Sequence, residues 1–281
     1  MLSAQSSTLP QESPGDLVKA AVANEFAASN GSAKHMFLSR KKTPKGTQTH
    51  LYVETDVAMA GMLVALNDQP LTPEQEQAEE GHLAWLVNNP DQLRKKQARE
   101  KEDNDRSMRI LKALPDAFHY EYDGTATGLA NVGGPGAELV RLRFKPNPGY
   151  VPPSRMEEVL TGMEGTLLID PQAKRLAEID GTLFRDVTFG WGIVGRLDKG
   201  GSFVVRQADV GEGSWEITEM HLDIKGRILL VKSLTYVSDE VFSEFRRMPD
   251  HLSFAEGAKG LEAEQKKMEE TFSTQAKDPQ Q

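Results

Sequence analysis

Between residues 118 and 236 the sequence offers one strand-like stretch after another and almost no long helical period. The candidates are 118–122, 138–144, 166–170, 175–187, 202–207, 214–224 and 227–236. Parallel neighbours need a crossover of a dozen or more residues, usually a helix. Most links here are too short for that, so consecutive strands are predicted to pair antiparallel, as a meander. Asp170-Pro171-Gln172-Ala173-Lys174 reads as the turn joining two of them. Lys225-Gly226 is expected to join the last two at hairpin spacing. Residues 145–162 interrupt the series. Prolines 146, 148, 152 and 153 force an extended crossing there, with one helical turn near 155–160.

The first half of the chain is mixed. Residues 1–15 are small, polar and proline-containing, and are expected to form a disordered leader. Leu2-Ser3-Ala4 before Gln5 fits the remnant of a secretory cleavage site, and equally fits an ordinary start. Residues 16–29 predict a helix capped by Asp16, with Leu17, Ala20, Ala21, Ala23 or Asn24, and Ala27 as its apolar stripe. Residues 34–66 alternate as strands, with Pro44 and Gly46 placed for a hairpin, and the apolar 58–66 reads as strand or helix, its length and the Gly61 interruption favouring strand. A helical insertion is expected over about 71–114. Thr72-Pro73-Glu74-Gln75 supplies its cap, first-position proline and acidic first turn. Asn89-Pro90-Asp91 restarts the helix, and Pro115 is expected to stop it. Residues 94–107 contain no large apolar side chain and read as a solvated helix or a mobile loop. The polar tail 249–281 is expected to be poorly ordered.

Composition excludes several classes of function. The chain of 281 residues carries a net charge of −9, against broad phosphate-backbone binding, so no nucleic-acid partner is expected. It has no cysteine, which removes disulfides, thiolate metal sites and cysteine nucleophiles. No apolar run approaches the ~20 residues of a membrane-spanning helix.

The stretch Glu164-Gly165-Thr166-Leu167-Leu168-Ile169-Asp170-Pro171, with Arg175-Leu176 and Ile179-Asp180-Gly181 after it, pairs a strand ending in Asp-Pro with a returning strand. Trp215-Glu216-Ile217, Leu222-Asp223-Ile224 and Arg227-Ile228-Leu229 continue the pattern. In these stretches, and in its order of helix, strands, helical insertion and meander, the chain resembles the LolA/LolB-like superfamily of periplasmic lipoprotein carriers. It is most similar to the uncharacterised lipoprotein-sorting-like proteins of that group. The likeness covers roughly residues 16–245 and is architectural, without a catalytic motif. It implies an α+β fold: a strongly curved antiparallel β-sheet, a half-barrel, with helices covering the concave face. One such domain is expected over 16–248. The resemblance further implies an apolar cavity between sheet and helices, a periplasmic location, and a non-catalytic carrier role for a lipid, acyl or other apolar ligand. The alternative is an envelope sensing or assembly module that acts by contact with another envelope protein. The length, the charged 94–107 segment and the polar tail depart from the small carriers.

Phe184, Phe189, Trp191, Phe203, Trp215 and Met220 are the large residues of the meander. They are candidates to line an apolar cavity, or else to pack as core. Gly190-Trp191-Gly192-Ile193-Val194-Gly195 fits GxGxxG, but Arg196-Leu197-Asp198-Lys199-Gly200-Gly201 follows where a dinucleotide site needs a helix. It therefore reads as a glycine-bent strand, and Gly133-Gly134-Pro135-Gly136 as a turn. No cofactor is expected. The histidines at 35, 50, 82, 119, 221 and 251 show no metal-ligand spacing, and no metal site is expected. Glu219, His221 and Asp223 alternate on one strand face as a polar stripe without a visible nucleophile.

Overall fold

The computed structural model describes residues 12–29, 31, 33–189, 195–228 and 232–277. The architecture is α+β, with thirteen strands and four α-helices among the described residues, whose strand ladders are antiparallel. The chain falls into two compact units. Unit one takes residues up to 31 and 107–237, and unit two takes 32–106 and 238 onward. The boundaries thus differ from the single unit over 16–248 that the sequence suggests. The helical insertion is divided between the two.

Unit one begins with α1 (Pro14–Ser29). Its cap is Ser13, whose hydroxyl accepts the Asp16 N–H at 3.2 Å and donates to the Asp16 carboxylate at 2.6 Å. Asp16 is thus the third helical residue and not the cap. The buried stripe is Leu17, Val18, Ala21, Val22 and Glu25, with Ala23, Asn24 and Ala27 exposed. Two valines displace the expected alanines because they remove more apolar surface from water. The strands are β5 (Phe118–Thr127), β6 (Glu138–Pro146), β7 (Met163–Asp170), β8 (Arg175–Leu183), β9 (Val187–Phe189), β10 (Gly195–Leu197), β11 (Ser202–Asp209) and β12 (Trp215–Ile228). Their order is β12-β11-β8-β7-β6-β5, with β10 also on β12 and β9 on β10.

The turn between β7 and β8 forms as the sequence predicts. The Asp170 carboxylate accepts the N–H groups of Gln172 and Ala173 at 2.8 and 2.9 Å. Lys225-Gly226 does not form a hairpin. β12 runs straight through it, with Gly226 paired to Leu197 of β10. A Cβ on Gly226 would lie 2.2 Å from the Arg196 carbonyl oxygen. The glycine therefore serves close strand approach. A 3-10 turn covers Glu157–Gly162. The core joins Leu17, Val18, Ala21 and Val22 of α1 to Val140, Leu142 and Phe144 of β6, Leu167 and Ile169 of β7, and Leu176 and Leu183 of β8. Glu25 is buried within it. Its carboxylate accepts a fork from Arg175 at 2.9 and 2.8 Å and the Leu176 N–H at 3.1 Å, which ties α1 to β8.

Unit two holds β1 (His35–Thr43), β2 (Gly46–Val53), β3 (Ala60–Leu66), the two-residue β4 (Gln69–Pro70) and most of β13 (Lys232–Arg247), in the order β4-β3-β2-β1-β13. The hairpin at Pro44-Lys45 closes on Gly46, whose φ of 131° only glycine adopts readily. α2 (Pro73–Asn88) carries the full capping box. Gln75 N–H donates to the Thr72 hydroxyl, and Thr72 N–H to the Gln75 side chain. α3 (Pro90–Ala117) is continuous through the charged stretch, where Lys96–Glu100 and Lys101–Asp105 pair at 2.8 and 2.6 Å. Pro115 does not stop it: the helix runs on to Ala117, forgoing the bond that an N–H at 115 would make to the Leu111 carbonyl. The tail expectation is corrected. α4 (Phe254–Lys277) buries Phe254, Ala258 and Leu261 against Met36, Leu51, Val53 and Met62, together with Leu83 and Leu86 of α2. Four apolar residues near its start, counting Leu252, outweigh the polar remainder.

Candidate functional site

Two rows of side chains cross unit one on the face that carries the core. Strand pairing aligns Leu142, Leu167, Ile179, Val205 and Met220 in the first. Gly181, Phe203 and Leu222 form the second. Burial changes along the first row. Leu142 and Leu167 are fully buried, whereas Ile179, Val205 and Met220 are half-exposed. Phe203 and Leu222 are half-exposed as well. α1 packs on β5 and β8 and covers the buried end. The other end is a strip of Ile179, Val205, Met220, Phe203 and Leu222 that continues the core surface outward. The Phe203 ring lies against Gly181, where a Cβ would come within 2.3 Å of it. The glycine lets the ring approach the backbone of β8. With ~4.8 Å between strands, the strip is roughly 10 Å wide across β8, β11 and β12.

The opposite face of the same strands is charged. Arg206 donates to Glu178 and to Glu219, each at 2.7 Å, and Glu219 also accepts from the Asn131 amide at 3.1 Å. The hydrogen bond to Glu178 and then that to Glu219 hold the guanidinium pKa above its ordinary value. Burial, then the Glu178 charge, push the Asp180 carboxyl up, against the pull of Arg206 and His221. The polar stripe of Glu219, His221 and Asp223 belongs to this ion-paired surface. It is an electrostatic network in which Arg206 pairs with Glu178 and Glu219. Among the described residues no three His, Asp or Glu side chains form a metal-ligand set.

Of the six residues singled out in the sequence, the five that are described do not line one surface. Phe203 and Met220 sit in the strip, and Phe189 is half-buried against the core. Phe184 is 36% exposed, with the Arg185 guanidinium 5.6 Å from its ring. Trp215 packs on a separate cluster of Val132, Leu139, Leu168 and Ala177, with Arg175 5.5 Å from its ring. Leu139 and Leu168 point away from their neighbours Val140, Leu167 and Ile169, which belong to the main core. A bulge lies between Trp215 and Met220, where Arg206 pairs Glu219 but Gln207 pairs Ile217. It resets the alternation, so their spacing does not report their faces. Trp191 and the start of the GxGxxG stretch lie outside the described residues. Gly195 is in β10, and the loop of Gly133, Gly134 and Gly136 is a turn with φ of 73°, 127° and 79°. Ile179, Val205 and Leu222 were missed as site residues. Their signal was the even spacing shared with Phe203 and Met220 on adjoining strands.

No family model matches the chain, and no curated protein matches it. Among solved structures, the crystal structure of a DUF1329 family protein from Desulfovibrio piger aligns over 84% of this chain and 94% of that one. The identity is 10% and the TM-score 0.26. At that score the two backbones diverge too far for any residue to be carried across. Among the described residues no helix is long and apolar enough to cross a membrane, which says nothing of spanning by strands.

Proposed function

We propose that this protein is a non-catalytic binding or carrier protein for a lipid, acyl chain or other apolar ligand, working in the periplasm of a bacterial cell envelope. In this reading the sheet is curved as a half-barrel and the helices cover its concave face, as the resemblance to the LolA/LolB-like superfamily implies. One observation carries it: the half-exposed strip of Ile179, Val205, Met220, Phe203 and Leu222 on the face that elsewhere forms the core. Each methylene laid on such a surface gains about 0.8 kcal/mol when fully removed from water. The strip holds no charged side chain, so a bound chain would leave no buried ion unpaired. Native mass spectrometry of gently purified protein, with a fluorescent fatty-acid titration, tests the reading. Co-purified lipid and saturable binding are expected. Absence of both would sink it.

A second reading, contact with another envelope protein, is favoured by α3. Residues 101–107 are all exposed, and their charges pair along the helix surface. Pull-down from an envelope extract with Lys101, Arg106 and Asp105 reversed in charge separates the two. Unchanged partner recovery would count against this second reading.

A further inference from the structure

Unit two carries an aromatic surface that the proposed ligand strip does not use. Phe37 of β1 and Tyr52 of β2 are cross-strand partners, with ring centroids 5.7 Å apart. Phe37 stacks on Phe245 of β13 at 5.4 Å, and His50 stacks on Tyr52 at 5.5 Å and 14°. Met36, Leu51, Val53 and Met62, which pack under α2 and α4, alternate with these residues and so face the other way. The Tyr52 ring lies over Gly61 of β3, where a Cβ would come within 2.4 Å of it. His50, Tyr52 and Phe245 are half-exposed.

Carboxylates reach the edges of this floor, where the charges of Glu79 and Glu240 act on the His50 imidazole and those of Glu240, Glu100 and Glu79 on the Tyr52 hydroxyl. Glu79 of α2 accepts the Leu63 N–H at 3.1 Å, and Glu100 of α3 accepts the Met59 N–H at 3.0 Å. These two anchors bracket Gly61 on β3, on either side of the Tyr52 ring. Across the sheet, Glu240 accepts from the Ser39 hydroxyl at 2.6 Å and from Lys41 at 3.0 Å. Lys41 and Lys96 each answer one carboxylate, Glu240 and Glu100 respectively. Glu79 has no cationic partner among the described ion pairs, so the rim keeps an excess of negative charge. An aromatic face attracts a cation through its quadrupole, and a desolvated site strengthens the attraction. His50 adds no opposing charge at neutral pH, since burial lowers its pKa.

We propose that His50 and Tyr52, backed by the buried Phe37 and rimmed by Glu79, Glu100 and Glu240, form a binding site for a small organic cation of the quaternary-ammonium class. It is separate from the apolar strip and stands or falls independently of it. Calorimetric titration of the full chain with choline, and in parallel with its uncharged carbon isostere 3,3-dimethylbutan-1-ol, tests it. Saturable choline binding is expected, with the isostere at least about ten-fold weaker. Glu79→Gln keeps an acceptor for the Leu63 N–H and removes the charge, and should weaken choline by several-fold. Tyr52→Leu should weaken it about ten-fold while circular dichroism confirms the fold. Absence of saturable choline binding, equal affinity for the isostere, or unchanged affinity in both variants would overturn the proposal.

Discussion

Replacing Arg175 with methionine tests how α1 is held on unit one. The Glu25 carboxylate is 8% exposed, and the Arg175 side chain 12%. The guanidinium supplies two of the three hydrogen bonds that Glu25 receives, the third coming from Leu176 N–H. Arg175→Met leaves a buried carboxylate with one neutral donor. Removing one member of a buried pair costs about 3–5 kcal/mol. The surviving backbone donor and the pair's place at the end of β8 put this site at the lower end, about 3 kcal/mol. Hydrogen exchange on α1 amides reads the loss directly, because α1 opening exposes them. At 1.4 kcal/mol per factor of ten, exchange should accelerate about a hundred-fold. The double variant Glu25→Met/Arg175→Met removes both charges and leaves only the Leu176 N–H without its acceptor. Its cost should fall to about 1–2 kcal/mol. If Arg175→Met slowed exchange or changed it less than about five-fold, or if the double variant were worse than the single, the pair would not be what pins α1.

Other consequences follow from single positions. Gly226→Ala drives a Cβ to within 2.2 Å of the Arg196 carbonyl. It should cost about 1–3 kcal/mol, measured as a lowered urea midpoint. Thr72→Ala removes the capping box of α2 and should cost about 0.5–2 kcal/mol, read from the loss of helical ellipticity with denaturant. Burial holds the His35 and His50 pKa values below the ordinary 6.5. The unfolded chain then takes up these protons first, so the histidines stabilise unit two above pH 6.5 and the contribution is lost as pH falls through the lower folded values. Proton-detected titration of the two imidazole C–H resonances should give midpoints below 6.5, and a midpoint above it would refute the sign.

The sequence announced its local chemistry better than its long-range partners. Asp170-Pro171 and Thr72-Pro73-Glu74-Gln75 form their turn and cap as expected, because the side chains that make them lie within three residues of the groups they bond. The hairpin at Pro44-Lys45 is local in the same way. Gly226 misled because a glycine needed for close approach of β10 looks, in one dimension, like a glycine needed for a turn. The α1 stripe shifted by one residue because a buried Glu25 belongs to it, and only Arg175, 150 positions away, explains that burial. The tail read as disordered because its few apolar residues sit at one end, where β2, β3 and α2 supply the rest of the core. Of the proposed site, Phe203 and Met220 were visible as large residues. Their neighbours Ile179, Val205 and Leu222 required the strand register, and the bulge between Trp215 and Met220 hid which residues shared a face.

Fluorescent fatty-acid titration of Met220→Glu against Val204→Glu tests the ligand strip most directly. Both positions are half-exposed, and the two lie on opposite faces of paired strands. A carboxylate at 220 would have to be desolvated under the bound chain, whereas one at 204 joins the charged face. The account predicts saturable binding to the parent chain, weakened at least about ten-fold by Met220→Glu and little changed by Val204→Glu. Equal affinity in both variants and the parent would contradict it.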